Sequence, residues 1–266
     1  MNSAYPAGAH VTKKRFGQHF LHDQNILRRI VEAVSPRADD TLIEIGPGDG
    51  ALTLPLLRAA GRLTAIELDR DLIEPLRERA ARVGELLIIH RDVLGIDFTE
   101  LAGGGRLRLV GNLPYNISTP ILFHVLDHAP AIEDMHFMLQ KEVVDRMAAA
   151  PGSKTYGRLS VMLQLRCGVD PLFGVPPSAF RPPPKVDSAV VRLVPFAAAD
   201  RPDADFAMIE RVVRAAFGQR RKTLSNALST VADASQIVAA GIDPRARAEQ
   251  LAPADFVALA RHLGAG

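Results

Sequence analysis

From residue 41 onward, short runs of aliphatic and β-branched residues alternate with longer stretches in which apolar side chains recur every three or four positions. That alternation is the pattern of βαβ units built around a parallel sheet. The short runs predict strands at 41–45, 62–67, 86–90, 107–111 and 135–140, and the periodic stretches predict helices at 52–60, 70–83 and 119–127. A later run at 188–195 reads as a further strand. The proline-rich stretch 176–184 before it fixes φ and removes N–H donors, so no helix crosses it. Beyond Pro195 the composition changes: 197–205 reads as a linker, and the remainder of the chain has helical periodicity, through Val212, Val213, Ala216 and Phe217, then Leu224 and Leu228, then Phe256, Leu259 and Leu263. The pattern therefore predicts an α/β domain over 1–198 and a small all-α domain over 199–266.

Composition narrows the class. The 266 residues are 47% hydrophobic and 23% charged, a balance that excludes a disordered chain. No stretch approaches the ~18 apolar residues of a membrane span, and residues 1–20 contain no apolar run of the kind a secretion signal needs, so the expected location is the cytoplasm. Cys167 is the only cysteine, which excludes an intramolecular disulfide and argues against a cysteine-based metal site; beside Leu165 and Val169 it reads as a small core residue more readily than as a catalytic thiol. No metal site is expected. The net charge of +2 neither requires nor excludes a nucleic-acid partner.

The chemistry begins at Glu44-Ile45-Gly46-Pro47-Gly48-Asp49-Gly50-Ala51, a glycine turn after a predicted strand and before a predicted helix. Such a turn lets backbone approach a ligand at the carboxyl edge of a sheet. Gly46, Gly48 and Ala51 also satisfy a loose dinucleotide pattern, so the turn alone leaves a nicotinamide cofactor, S-adenosylmethionine or simple helix packing open. Acidic residues favour the second. Glu67 ends the next strand, where it can accept hydrogen bonds from ribose hydroxyls, and Asp92 follows the third, where it can accept one from an adenine amino group. Glu44 and Asp49 add negative charge that disfavours a pyrophosphate and favours a sulfonium and an ammonium. Asp69 and Asp71 read as helix caps.

After the fourth strand comes Gly111-Asn112-Leu113-Pro114-Tyr115-Asn116-Ile117-Ser118. The Asn112 amide oxygen and the Leu113 carbonyl are two acceptors for one exocyclic amino group, Pro114 stiffens the turn, and Tyr115 offers a ring for stacking. Two acceptors hold the nitrogen and weaken its conjugation with the base, so methyl transfer needs positioning more than a strong base. Asn116 and Ser118 could instead cap the next helix after a proline turn, and for Ser118 and Thr119 that is the simpler reading.

These segments, together with Phe16-Gly17-Gln18-His19-Phe20-Leu21 and the run Phe180-Arg181-Pro182-Pro183-Pro184-Lys185-Val186-Asp187-Ser188, make the chain similar to the small-subunit ribosomal-RNA adenine N6,N6-dimethyltransferase family. The resemblance runs from Lys13 to about Leu263. It implies a Rossmann-like class I methyltransferase domain with a mostly parallel seven-stranded sheet, followed by a small helical domain. The implied reaction uses S-adenosylmethionine to dimethylate N6 of two adjacent adenines in the 3′-terminal hairpin of 16S rRNA in the assembling 30S subunit, by a monomer. It further implies that His19, Leu21, Gly46, Glu67, Asp92 and Asn112 contact the cofactor, and that Tyr115 and Phe180 sandwich the target adenine. Many relatives carry Asn at the position of His19, which leaves open whether that side chain reaches the ligand.

Beside a nicotinamide oxidoreductase, weakened by the acidic loop and by the absence of a proton-relay role for Tyr115, two other identities remain as rivals. One is a large-subunit rRNA methyltransferase of the macrolide-resistance type, against which Leu113 and the 180–188 motif argue. The other is a nucleic-acid-binding assembly or transcription factor without catalysis. Basic residues cluster at Lys13, Lys14 and Arg15, at Arg28 and Arg29, and along Arg211, Arg214, Arg220, Arg221 and Lys222. Charge alone fits a solvated helix face or phosphate contact equally. The resemblance favours RNA for Lys13, Lys14, Arg15, Arg220, Arg221 and Lys222, with Lys185 near the base entrance.

Overall fold

A computed structural model describes residues 19–219 and 221–264. The elements in chain order are β1 (Phe20–Leu21), α1 (Gln24–Val34), β2 (Thr41–Ile45), α2 (Thr53–Ala60), β3 (Arg62–Glu67), α3 (Arg70–Ala80), β4 (Glu85–His90), α4 (Phe98–Ala102), β5 (Leu107–Asn112), α5 (Ser118–Asp127) and β6 (Ile132–Gln140). After these come α6 (Lys141–Met147), α7 (Arg158–Gln164), β7 (Cys167–Val175), β8 (Phe180–Arg181), β9 (Ser188–Pro195), α8 (Phe206–Gly218), α9 (Leu224–Ala227), α10 (Ala234–Ala239) and α11 (Pro253–Gly264). Every strand and helix expected from the pattern is present, with ends shifted by a few residues. The pattern did not give β1, β7 or β8. The first and last have two residues each, and Gly168, Pro171 and Gly174 interrupt the strand signature of β7.

The chain gathers into two compact units, one of residues 19–141 and 172–192, the other of 142–171 and 193–264. Seven strands form a sheet in the order β4-β3-β2-β5-β6-β9-β7, with β2–β3, β3–β4, β2–β5 and β5–β6 parallel. The order reverses between β2 and β5, and a crevice opens at such a point because the connections leave in opposite directions. Leu42, Ile43, Ile45, Leu107, Leu109 and Val110 are all buried, as expected of central strands covered on both faces. Helix α1 buries Ile26, Leu27, Ile30 and Val34 on one face, and its N-terminal cap Asp23 accepts from the Asn25 and Ile26 N–H groups at 2.9 and 3.1 Å.

At the edge of the sheet away from that crevice, Arg108 fixes α1 to the central strands. Its Nε and Nη2 donate to the two Asp134 carboxylate oxygens at 3.0 Å each, Nη1 to Asp40 at 2.7 Å and Nη2 to the Val34 carbonyl at 2.7 Å. The fork-on-fork geometry with Asp134 suits a guanidinium, and the Val34 carbonyl is one that the end of α1 leaves without a helical donor. Burial pushes the neighbouring His136 imidazole down to about 4, so it is neutral at pH 7.

In the second unit Tyr156 is fully buried and donates to the Leu251 carbonyl at 2.9 Å, while the Phe217 ring lies between Tyr156 and Phe256 at centroid distances of 6.0 and 5.7 Å. Cys167 is buried, its thiol donates to the Leu163 carbonyl, and burial pushes it up to about 12. It is a core residue, with no thiolate near neutral pH. Among the described residues no helix is long and apolar enough to cross a membrane, and no group of three or more His, Cys, Asp or Glu could hold a metal ion.

Asp134→Ala leaves the Arg108 charge buried without its main partner and should destabilise the protein by about 3–5 kcal/mol. Urea unfolding midpoints test this; a change too small to measure would show that the cluster does not hold the sheet and α1 together.

Candidate active site

The glycine turn leaves β2 at the crevice. The Gly46 N–H donates to the Ile66 carbonyl at 2.9 Å, which ties the turn to β3, and its φ of +69° is one that residues with a Cβ rarely adopt. A Cβ built on Gly46 would meet nothing within 4 Å, so this face of the turn is open to a ligand. On the neighbouring strand, a Cβ on Gly111 would lie 2.6 Å from the Ile45 carbonyl oxygen. Only glycine there lets β5 run this close to β2, and Asn112 is the next residue.

Glu67 closes the turn from β3. Its Oε2 accepts from the Gly48 N–H at 3.2 Å and its Oε1 from the Asp69 N–H at 2.7 Å, leaving lone pairs on both oxygens. Burial raises its pKa above the usual carboxylate value, and those backbone bonds oppose the rise. Asp69 caps α3 through its bond from the Asp71 N–H, as expected, while Asp71 belongs to the first helical turn. Asp92 is exposed; Oδ1 accepts from the Leu94 N–H at 3.0 Å, and Oδ2 has no partner among the described residues. Glu44 is only 2% exposed, and its Oε2 finds no partner among the described residues. Its carboxyl is pushed up to about 8, chiefly by burial; the Thr53 hydroxyl opposes the rise, and the charges of Glu67 and Asp49 reinforce it. Asp49 is also raised by burial.

Across the crevice, the Asn112 Nδ2 donates to the backbone carbonyl of His19 at 3.0 Å. A carbonyl only accepts, so this bond orients the amide and leaves Oδ1 as a spare acceptor. The Leu113 N–H donates to the Met138 carbonyl at 3.1 Å, and among the described residues the Leu113 carbonyl accepts nothing. The Tyr115 hydroxyl bonds Ser188 Oγ at 2.7 Å, and burial raises its pKa. Ser118 does not cap α5. It is the first residue of that helix, buried, and donates to the Tyr115 carbonyl at 3.3 Å, while Ile117 occupies the cap position without a side-chain bond. Ser188, which stands in the sequence only as the last residue of a motif, is the missed partner of Tyr115.

One cleft is lined by His19, Leu21, Gly46, Glu67, Asp92, Asn112, Leu113, Pro114 and Tyr115, together with Glu44 and Asp49. Leu68, 48% exposed, and Val93 add apolar walls directly after the two acidic strand ends; their position beside Glu67 and Asp92 was the available signal. Phe180 is not brought to the cleft lining. Its ring is 1% exposed and packs in the core with Leu21, Val175 and Val190, while its backbone pairs with β1 at Leu21↔Phe180. Lys185 is exposed on the segment before β9. Arg211, Arg214, Arg221 and Lys222 are exposed in the second unit, whereas Arg28 pairs with Glu32 at 3.9 Å and Arg29 stacks over the Phe173 ring at 3.9 Å. Lys13, Lys14, Arg15 and Arg220 lie outside the described residues, as do Phe16, Gly17 and Gln18.

A glycine turn on the first strand of the parallel core, a carboxylate ending the second and an acceptor-rich loop across the switch point define an α/β methyltransferase of the Rossmann-like class. The chain belongs to the ribosomal RNA adenine dimethylase family, whose profile matches residues 9–264. It is 66% identical over 260 residues to the ribosomal RNA small subunit methyltransferase A of Xanthomonas campestris pv. campestris (strain B100), covering 98% of each chain. Among solved structures it resembles a dimethyladenosine transferase from Plasmodium falciparum, with a TM-score of 0.76 and 27% identity over 91% of this chain and 96% of that one. It also resembles the 23S rRNA methyltransferase ErmE, with a TM-score of 0.70 and 27% identity over 92% and 99% of the two chains. The protein is thus an rRNA-modifying methyltransferase whose methyl donor is S-adenosylmethionine. The cleft fits that donor: Asp49, Glu67 and Asp92 suit a cation, the unpartnered Glu44 Oε2 is a spare acceptor among the described residues, and the open face at Gly46 admits it.

Glu44 supplies a pH test. It stays protonated in the folded chain up to about pH 8 but ionises near 4.5 once unfolded. The folded state therefore holds the extra proton, and stability from this group is full below the lower value and falls as pH rises through the upper one, by at most about 1.4 kcal/mol per unit. Glu44→Gln should flatten the decline in urea midpoints between these limits; identical slopes for both proteins would refute the assignment.

Proposed function

We propose that the protein dimethylates N6 of two adjacent adenines in the 3′-terminal hairpin of 16S rRNA, acting as a cytoplasmic monomer on the assembling 30S subunit. The observation that carries this reading is the Asn112 amide, held by the His19 carbonyl with its oxygen spare, beside an anionic cleft. S-adenosylmethionine, when bound, supplies an electrophilic methyl group on a sulfonium. Leu21, Gly46 and the backbone around His19 border it, Glu67 accepts from ribose hydroxyls, and the Asp92 Oδ2 accepts from its adenine amino group. Asn112 Oδ1 and the Leu113 carbonyl each accept one hydrogen of the target amino group. The nitrogen lone pair is thereby turned from the ring toward the methyl carbon; as the C–N bond forms the carbon–sulfur pair would return to sulfur as a neutral thioether, and the nitrogen, acidic only then, would lose its proton to water. Pro114 holds the turn, and the Tyr115 ring stacks on the base.

Lys185, Arg221 and Lys222, with Arg220, Lys13, Lys14 and Arg15, contact RNA phosphates, and residues 199–266 act as an RNA-contacting domain. Phosphate contacts position the RNA without reading its sequence, so recognition rests on the shape of a structured substrate. The 66% identity to a small-subunit enzyme favours 16S rRNA over the 23S rRNA of the more distant ErmE. Primer extension in a deletion strain decides between them: loss of the hairpin methylation is expected, and intact methylation there would overturn the proposal.

Asn112→Ala should lower the methyl-transfer rate on immature small subunits by about 10²–10³-fold, the range for losing one oriented polar group, with cofactor affinity little changed. Equal losses in both would contradict its role. Arg221→Glu combined with Lys222→Glu should weaken RNA binding and reduce the slope of log affinity against log salt by roughly 1–2. An unchanged slope would remove these residues from the RNA interface.

A further inference from the structure

We propose that Ser188 is a positioning residue for methyl transfer: its hydroxyl fixes the direction and tilt of the Tyr115 ring, and with them the pose of the adenine that lies on it. The inference rests on the proposed function, in which an adenine stacks on Tyr115. Tyr115 sits in the turn between β5 and α5, outside regular structure. Its ring nevertheless has a fixed point, because its hydroxyl bonds Ser188 Oγ at 2.7 Å. Ser188 is fully buried and is the first residue of β9.

Two serines hold Tyr115 at its two ends. Ser118 Oγ donates to the Tyr115 carbonyl at 3.3 Å, and Ser188 takes the hydroxyl at the tip of the ring. A bond at the tip acts through the longest lever the side chain has, so it sets where the ring points. A phenol O–H also stays near the ring plane, because its oxygen shares electrons with the ring, so a partner in a set place fixes the tilt as well. Among the described residues neither hydroxyl oxygen has a second hydrogen-bond partner. Burial raises the Tyr115 pKa, which keeps the phenol protonated and able to donate near neutral pH.

Ser188 and the loop bearing Tyr115 take their places from one strand. The Asp187 carbonyl accepts from the Lys141 N–H at 2.9 Å, tying the entrance of β9 to the residue that follows β6, and the Leu113 N–H donates to the Met138 carbonyl within β6 at 3.1 Å. In the sheet β9 lies next to β6. The anchor is therefore built on sheet backbone, the rigid support that a precise site needs. Asn112 Oδ1 and the Leu113 carbonyl set where the amino nitrogen sits, and the ring beneath the base sets the plane in which it sits. Both must be right for the lone pair to meet the methyl carbon in line, where small misplacements are costly. A bond that merely satisfied two hydroxyls would change stability and leave the transfer rate of the folded protein as it was.

The test is a double-mutant cycle on the full chain with S-adenosylmethionine, following the single-turnover rate of radiolabelled methyl transfer to immature small subunits. Ser188→Ala and Tyr115→Phe break the same bond from its two ends and leave the stacking ring in place. Each should slow transfer at saturating subunits by about three- to tenfold, the scale of one neutral hydrogen bond, while the subunit concentration that gives half the maximal rate changes by less than about twofold. Ser188→Thr, which keeps a hydroxyl at that position, should restore most of the rate. The double variant should be about as slow as the slower single variant, whereas independent losses would multiply to roughly 10- to 100-fold. Urea midpoints measured alongside show that each variant is folded under the assay conditions. A wild-type rate in either single variant, or losses that multiply in the double variant, would overturn this inference alone; Tyr115→Phe keeps the test decisive should Ser188→Ala not fold. A wild-type protein that leaves the hairpin of those subunits unmethylated would overturn it together with the proposed function.

Discussion

The close approach of β2 and β5 governs the rest of the molecule. At Gly111 the two backbones are near enough that a single Cβ would strike the Ile45 carbonyl, so the glycine turn and the Asn112 loop emerge side by side. The strand order reverses at this pair, and the crevice lies above it. Two loops on adjacent strand ends meet a requirement of one-carbon transfer, that reacting atoms sit within van der Waals reach.

Other contacts preserve that geometry from a distance. Glu67 bridges the turn and the start of α3 through two backbone N–H groups, which ties the β3 edge of the crevice to its floor. At the opposite end Arg108 joins β5, β6 and the end of α1, so the helix after β1 is anchored far from the site. The segment bearing His19 then has its own fastenings: the short β1–β8 pair and the Asn112 and Pro182 bonds. Rigidity is concentrated in the sheet, and the cleft wall is held by a few individually modest hydrogen bonds.

Much of the sheet was legible because central strands buried on both faces read as continuous apolar runs, as at 41–45 and 107–111. That Glu67, Asp92 and Asn112 line one cleft was legible because strand ends are where polar groups gather in such a sheet, and because Leu113, Pro114 and Tyr115 beside Asn112 make an uncommon combination. The burial of Phe180 was not legible. An aromatic before Arg181-Pro182-Pro183 looks like a loop residue, and only the two-residue pairing with Leu21, remote in sequence, turns it into the core. Ser118 was misread for a related reason: serine before a helix suggests a cap, but Ile117 holds the cap position, and the Ser118 hydroxyl, already inside the helix, bonds backward to Tyr115 instead. The Tyr115–Ser188 bond joins residues 73 apart, a separation that no local rule addresses.

The acidic lining of the cleft has a consequence for the polymer it serves. The acidic groups Asp49, Glu67 and Asp92 favour a cation such as a sulfonium over a sugar–phosphate chain, so the crevice works as an electrostatic sieve. Such a field admits a neutral purine more readily than the charged strand that carries one. Discrimination between a flat uncharged ring and an anionic backbone thus resides in the field of the pocket as well as its shape.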